Sequence, residues 1–150
     1  NTVKDRWEKR DSTLISCMQE LGSYADQCIQ DLLNKNHQKI CILMKKNFAM
    51  RRRIYGDDVV GAKNIEVVKL AERMGLAAKF TGSGGAILCL RYDDETGAGV
   101  EKQHDSYMNM SGTFYEDVDQ ENTIKREFLA HGYEFVRIQP VPVEESVEVN

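Results

Sequence analysis

A glycine-rich stretch at 79–85 carries the clearest chemical signal in the sequence. It reads KFTGSGG, and the apolar run AILCL follows it directly. Glycine tolerates positive φ and has no Cβ, so consecutive backbone N–H groups can turn toward one anion, and neighbouring hydroxyls and an ammonium can add donors. The predicted phosphate-binding residues are Lys79, Thr81, Gly82, Ser83, Gly84 and Gly85. The simpler alternative is a tight connection between two strands.

A basic cluster upstream is a second candidate site. Asn47 and Arg51 are four positions apart and share one helix face, with Arg52 beside them. A guanidinium can hold a carboxylate through two parallel hydrogen bonds, which a sugar acid offers and a neutral sugar does not. We therefore predict substrate-binding residues here. The alternative, which stays open, is a solvated helix face paired with Asp57 or Asp58.

Asn64 is the third candidate, since it lies at the start of a predicted helix. A helix N-terminus can bind an anion or a hydroxyl, so we predict that Asn64 binds substrate, with capping or packing as the alternative. The isolated histidines His37, His104 and His131 are not placed like a general base, and we predict no catalytic residue in this segment.

Composition excludes several classes of function. The four cysteines form no CxxC pair and have no histidine at metal spacing, which predicts no metal site and reduced thiols in the cytoplasm. The net charge of −4 argues against nucleic acid as a partner, and no apolar run is long enough for a membrane. The sequence reads as one domain, 1–150, with no signal peptide at its start.

Hydrophobic periodicity places these candidates on an α+β fold, with helices on one face of a small antiparallel sheet. The pattern predicts helices at 11–33, 39–54, 62–74 and 120–131, and strands at 77–80, 86–91 and 133–138. In the first helix the apolar stripe continues through Ile29, Leu32 and Leu33, and in the last helix it includes Leu129. A flexible insertion is predicted at 92–119 and a loose acidic tail at 141–150.

The combined motifs resemble a known enzyme family. KFTGSGG, preceded by AERMGLAA and followed by AILCL, resembles the third motif of the GHMP kinase superfamily. The longer stretch from MKKNFAMRRRIYGDD to the glycine-rich loop is most similar to the C-terminal half of glucuronokinases and related sugar kinases. The resemblance implies a ferredoxin-like C-terminal domain whose first strand lies before Asn1.

The same resemblance implies an activity. It points to an ATP-dependent kinase of a sugar, with a uronic acid such as glucuronate as substrate. The N-terminal kinase domain of the same protein is the implied partner, since it would carry the nucleotide loop, the catalytic carboxylate and most contacts to ATP and Mg²⁺. These residues alone would then be inactive. Open alternatives are a kinase of mevalonate, galactose or a heptose, a ligand-binding module without catalysis, and a structural or assembly role.

Overall fold

The computed structural model describes residues 2–82, 84–92 and 118–138, and for 118 and 119 the backbone alone. The chain divides into two compact units, Asn1–Lys102 and Gln103–Asn150, which are described separately. The predicted acidic tail and nearly all of the predicted insertion lie outside the described residues. The assignment of the whole chain to one domain stays a prediction.

The first unit contains five helices and two strands in its described part. The helices are α1 (Val3–Glu8), α2 (Ser12–Leu33), α3 (His37–Tyr55), α4 (Asp57–Val60) and α5 (Ala62–Arg73), and the strands are β1 (Leu76–Phe80) and β2 (Ile87–Arg91). The three long helices and both strands lie where the sequence predicts them. The short helices α1 and α4 are additional.

Local sequence explains where the long helices begin and end. The Asp11 side chain caps α2 by accepting a hydrogen bond from Leu14 N, and Asn36 caps α3 by accepting one from Lys39 N. Gly75, at φ +76°, directly follows the last turn of α5 and allows the chain to reverse into β1. These ends bring the chain back to the sheet at Leu76.

β1 and β2 form a two-stranded antiparallel sheet whose register runs from Leu76 opposite Arg91 to Phe80 opposite Ile87. β1 is almost wholly buried because α3 and α5 pack on it. The α+β class with a small antiparallel sheet is therefore confirmed. The glycine-rich loop connects these two strands as a hairpin.

The core of the first unit lies between α2, α3, α5 and β1. Leu14, Cys17 and Tyr24 of α2 pack against Met50 and Ile54 of α3. The prediction that the stripe of α2 is buried to its end is wrong for three residues, since Ile29, Leu32 and Leu33 are 55%, 60% and 73% exposed. Within the described part of this unit, nothing covers that face of the last turns of α2.

The described part of the second unit is α6 (Val118–Ala130) and the segment that follows it. Ile124 and Phe128 are buried as predicted, but Leu129 is 52% exposed and does not point inward. The predicted strand at 133–138 is wrong, because these residues run along α6 instead of pairing in a sheet. Phe135 lies 6.2 Å from the Phe128 ring, and Arg137 pairs with Glu121 at 3.1 Å.

Candidate functional site

The glycine-rich loop is a closed turn between β1 and β2. Thr81 N donates to Ala86 O at 3.0 Å, and Gly84 N donates to Thr81 O at 2.9 Å. Gly82, Gly84 and Gly85 have φ values of +50°, +111° and +87°, a region in which residues with a Cβ are strained. Ser83 lies outside the described residues. The turn therefore needs the glycines that the sequence supplies.

The backbone N–H groups of this loop do not all point at one open position. Gly84 N donates to Thr81 O, and Gly85 N donates to Asn64 Oδ1 at 3.3 Å. An anion at this loop would therefore depend on side-chain cations more than on a ring of three free amides. This arrangement was not predictable from the glycine spacing.

Arg51 reaches the loop from α3. Its Nη1 donates to Gly82 O at 3.0 Å, and its guanidinium carbon lies 5.0 Å from the centre of the Phe80 ring. Its Nε is buried and has no hydrogen-bond partner. A buried donor without a partner is costly, and a ligand that accepted this hydrogen bond would remove the cost.

Lys79 lies beside Arg51 at the end of β1. Burial, and then the positive charge of Arg51, lower the pKa of Lys79 below its usual value. Its Nζ donates to Phe80 O at 3.2 Å. Among the described residues, neither Arg51 nor Lys79 forms an ion pair with a carboxylate. Two neighbouring cations without a counter-ion favour the binding of an anion.

Asn64 joins the loop to α5. Its Nδ2 donates to Val60 O at 2.7 Å, and its Oδ1 accepts from Gly85 N. The sequence placed Asn64 at the start of a helix, and the structure brings that helix start against the glycine-rich loop. Val60 gave no chemical signal in the sequence, because only its carbonyl oxygen takes part.

Arg52 does not belong to this cluster, and Asn47 is connected to it only by its position one turn before Arg51. Arg52 holds Asp57 through two hydrogen bonds of 2.6 and 2.5 Å, and this pairing lowers the pKa of Asp57. For Arg52 the structure thus shows the alternative that the sequence left open, an arginine paired with Asp57. Asn47 lies one turn before Arg51, and its Oδ1 is buried without a hydrogen-bond partner. Substrate binding by either residue stays a prediction.

Phe80 is part of the site although the sequence did not single it out. Its ring lies under the Arg51 guanidinium and meets the Phe48 ring edge to face at 5.9 Å. An aromatic face attracts a cation and fixes the plane of a guanidinium. The only sign of this role in the sequence was the position of Phe80 directly before the glycine-rich loop.

The donors of the cluster suit anions rather than divalent cations. In the described ranges, no group of three or more histidine, cysteine, aspartate or glutamate side chains is arranged to hold a metal ion. No helix in the same ranges has the length and apolar character of a membrane span.

Comparison with known proteins gives two relatives and no broader match. Over 86 residues the chain is 51% identical to "Glucuronokinase 1" of Arabidopsis thaliana. The matched stretch makes up 57% of this chain and 24% of that protein. Over 88 residues it is 44% identical to "Probable glucuronokinase 2" of the same organism. This matched stretch makes up 59% of this chain and 24% of that protein. No family model and no solved structure matches. The chain thus spans about a quarter of the length of two curated relatives, both named as glucuronokinases.

Proposed function

We propose that this chain is part of an ATP-dependent sugar kinase of the GHMP superfamily that acts on a uronic acid such as glucuronate. In this proposal Arg51, Lys79 and the glycine-rich loop hold the phosphoryl group that is transferred. The observation that carries it is the pair of neighbouring cations beside the loop, which has no carboxylate partner in the described residues. The names of the two relatives support the substrate class.

Phosphoryl transfer from ATP to a sugar requires little covalent chemistry from the protein. The oxygen of a sugar hydroxyl bonds to the γ-phosphorus of ATP, the bond from that phosphorus to the bridging oxygen breaks, and ADP leaves. The hydroxyl proton goes to a base outside these residues. Negative charge spreads over the oxygens of the moving phosphoryl group, where fixed cations lower the barrier. Arg51 and Lys79 would supply that charge stabilisation here, and no step is assigned to a metal in this chain.

A second candidate concerns what Arg51 binds. Its buried Nε and its planar fork also suit a sugar carboxylate, which is the interpretation that the sequence favoured for Arg51 and Arg52. The bidentate pair with Asp57 occupies the Arg52 fork and favours Arg51 over Arg52 for either anion. We commit to the phosphoryl group for Arg51, because this side chain contacts the loop itself at Gly82.

The experiment is a substrate panel on the full-length protein. ADP release is measured with ATP and glucuronate, galacturonate, glucose, galactose, a heptose or mevalonate as acceptor. We expect turnover with a uronic acid and much less with its neutral sugar. Turnover only with a neutral sugar or mevalonate would contradict the uronic-acid assignment. Binding of ATP without any turnover would favour a ligand-binding module instead.

A further inference from the structure

We propose that Asn64 is a positioning residue, which fixes the glycine-rich loop against the start of α5. It acts through the backbone of Gly84 and Gly85 rather than by contact with substrate. The kinetic part of this inference rests on the proposed function, whereas its structural part does not.

The Asn64 side chain is itself held in place. Its Nδ2 donates to Val60 O at 2.7 Å, a short hydrogen bond that lies partly out of water. Val60 is the last residue of α4, and its side chain is buried in the core. The amide group of Asn64 therefore has a fixed direction relative to the helices.

From this position Asn64 holds one end of the loop. Its Oδ1 accepts the hydrogen bond from Gly85 N at 3.3 Å, although 21 positions separate the two residues. At the other end of the loop, Arg51 of α3 donates to Gly82 O at 3.0 Å. The loop is thus connected to two different helices by these two hydrogen bonds, which we call ties, and Gly84 lies between them.

Gly84 shows how closely the loop fits against Asn64. A Cβ on Gly84 would lie 2.5 Å from Nδ2, 3.1 Å from Oδ1 and 3.2 Å from Cγ of Asn64. The amide cannot move aside without breaking its hydrogen bond to Val60 O. By contrast, a Cβ on Gly82 or Gly85 would meet nothing within 4 Å. Close contact with Asn64 is therefore a property of Gly84 in particular.

Both amide atoms of Asn64 have partners within the protein. Oδ1 accepts from Gly85 N and Nδ2 donates to Val60 O, and each atom keeps a second hydrogen-bonding position, so the exchange and kinetic measurements below separate positioning from substrate binding. Removing the side chain should therefore loosen the loop first. Phosphoryl transfer depends on placement to within about 1 Å, so loss of this tie should lower the rate without unfolding the protein.

The test compares wild type, Asn64→Ala and the control Glu66→Ala in the full-length protein. Glu66 is an exposed residue of the same helix. Hydrogen exchange at sub-second labelling times, read by mass spectrometry, reports on a peptide that spans 80–86. We expect exchange there to be about tenfold faster in Asn64→Ala, with α3 unchanged, because local opening costs less once the tie is lost. The Glu66 variant should match wild type.

Kinetics supply the second measurement. For Asn64→Ala we expect kcat/KM for ATP to fall about tenfold or more, with KM for the sugar and the melting temperature nearly unchanged. Loop exchange equal to wild type, or faster exchange throughout the unit, would overturn the proposal. Unchanged kcat/KM for ATP with a looser loop would overturn its functional part. If wild type phosphorylates no sugar, the proposed function fails, and the exchange result still decides the role of Asn64.

Discussion

Arg51 donates a hydrogen bond to the carbonyl oxygen of Gly82 at 3.0 Å, across 31 positions of sequence. This contact connects one residue of the basic cluster of α3 to the glycine-rich loop, whereas Arg52 of the same cluster pairs with Asp57. It also places a cation whose Nε has no partner beside Lys79. The loop, the two cations and Asn64 therefore form the cluster from which we expect anion binding.

Gly84→Ala should impair the loop more than a comparable change elsewhere. Its new Cβ would clash with the Asn64 amide, and its φ of +111° is unfavourable for alanine. We expect kcat/KM for ATP to fall about tenfold or more, because the loop must shift. Steady-state kinetics on the full-length protein measure this.

Gly75→Ala is the matched control for that change. It also has a positive φ, +76°, but its Cβ would meet nothing within 4 Å, and it lies outside the site. It should cost about 1–2 kcal/mol of stability and leave the kinetics unchanged. Equal kinetic losses in the two variants would show that backbone strain alone, and not the contact with Asn64, explains the effect at Gly84.

Lys79→Met should weaken ATP binding without lowering stability. Burial and the charge of Arg51 lower the pKa of Lys79, so the folded protein binds this proton less well than the unfolded chain. Stability should therefore rise with pH between the lowered pKa and about 10.5, the usual value for lysine. The methionine variant should lose this rise, and its melting temperature at pH 7 should be equal to or above that of wild type.

A drop in the melting temperature of Lys79→Met at pH 7 would show that the lysine stabilises the fold. An unchanged KM for ATP in the same variant would remove Lys79 from the anion site. Thermal melts at several pH values and initial-rate kinetics provide both measurements.

Arg52→Leu should affect the fold and not the substrate. The Arg52 guanidinium lowers the pKa of Asp57, so the pair stabilises the folded state above the usual aspartate pKa. This contribution should disappear as pH falls through the lowered pKa of Asp57. We expect a lower melting temperature at pH 7, a difference that vanishes in acid, and an unchanged KM for the sugar acid. A selective rise in that KM would restore Arg52 as a substrate ligand.

Cys89 should be a slow thiol in the folded protein. Burial raises its pKa to about 11, so little thiolate exists near neutral pH. Since the folded thiol keeps its proton after the unfolded one has lost it, this group should lower stability as pH rises above about 9. Alkylation by iodoacetamide at pH 8, followed by peptide mass spectrometry, should label Cys89 far more slowly than in urea. Equal rates would contradict the partial burial of this thiol.

The sequence predicted the parts of the fold that depend on local patterns. The ranges of the three long helices and the connection of two strands around the glycines follow from neighbouring residues. The strand at 133–138 was wrong because its alternating pattern is satisfied by packing on α6, as the contact between Phe128 and Phe135 shows. Alternation alone does not distinguish a strand from an extended segment against a helix.

The candidate site was predictable in its residue types but not in its contacts. The glycine-rich loop with Lys79, the basic cluster with Arg51 and the helix start at Asn64 were predicted as three separate sites for polar or anionic ligands. Arg51 contacts the loop and its neighbour Arg52 pairs with Asp57, a division that depends on contacts between separate elements and not on residue type. The tie from Asn64 to Val60 O involves a backbone atom, which has no signature in the side chain.

The most direct measurement compares Arg51→Leu with Arg53→Leu, an exposed arginine of the same helix, in the full-length protein with ATP and glucuronate. Loss of a charge-assisted contact should cost about 2–3 kcal/mol in kcat/KM for ATP in Arg51→Leu, while Arg53→Leu stays near wild type. A selective rise in KM for glucuronate, with ATP kinetics intact, would move Arg51 to the sugar carboxylate. Kinetics of Arg51→Leu equal to wild type would contradict the account of the anion site.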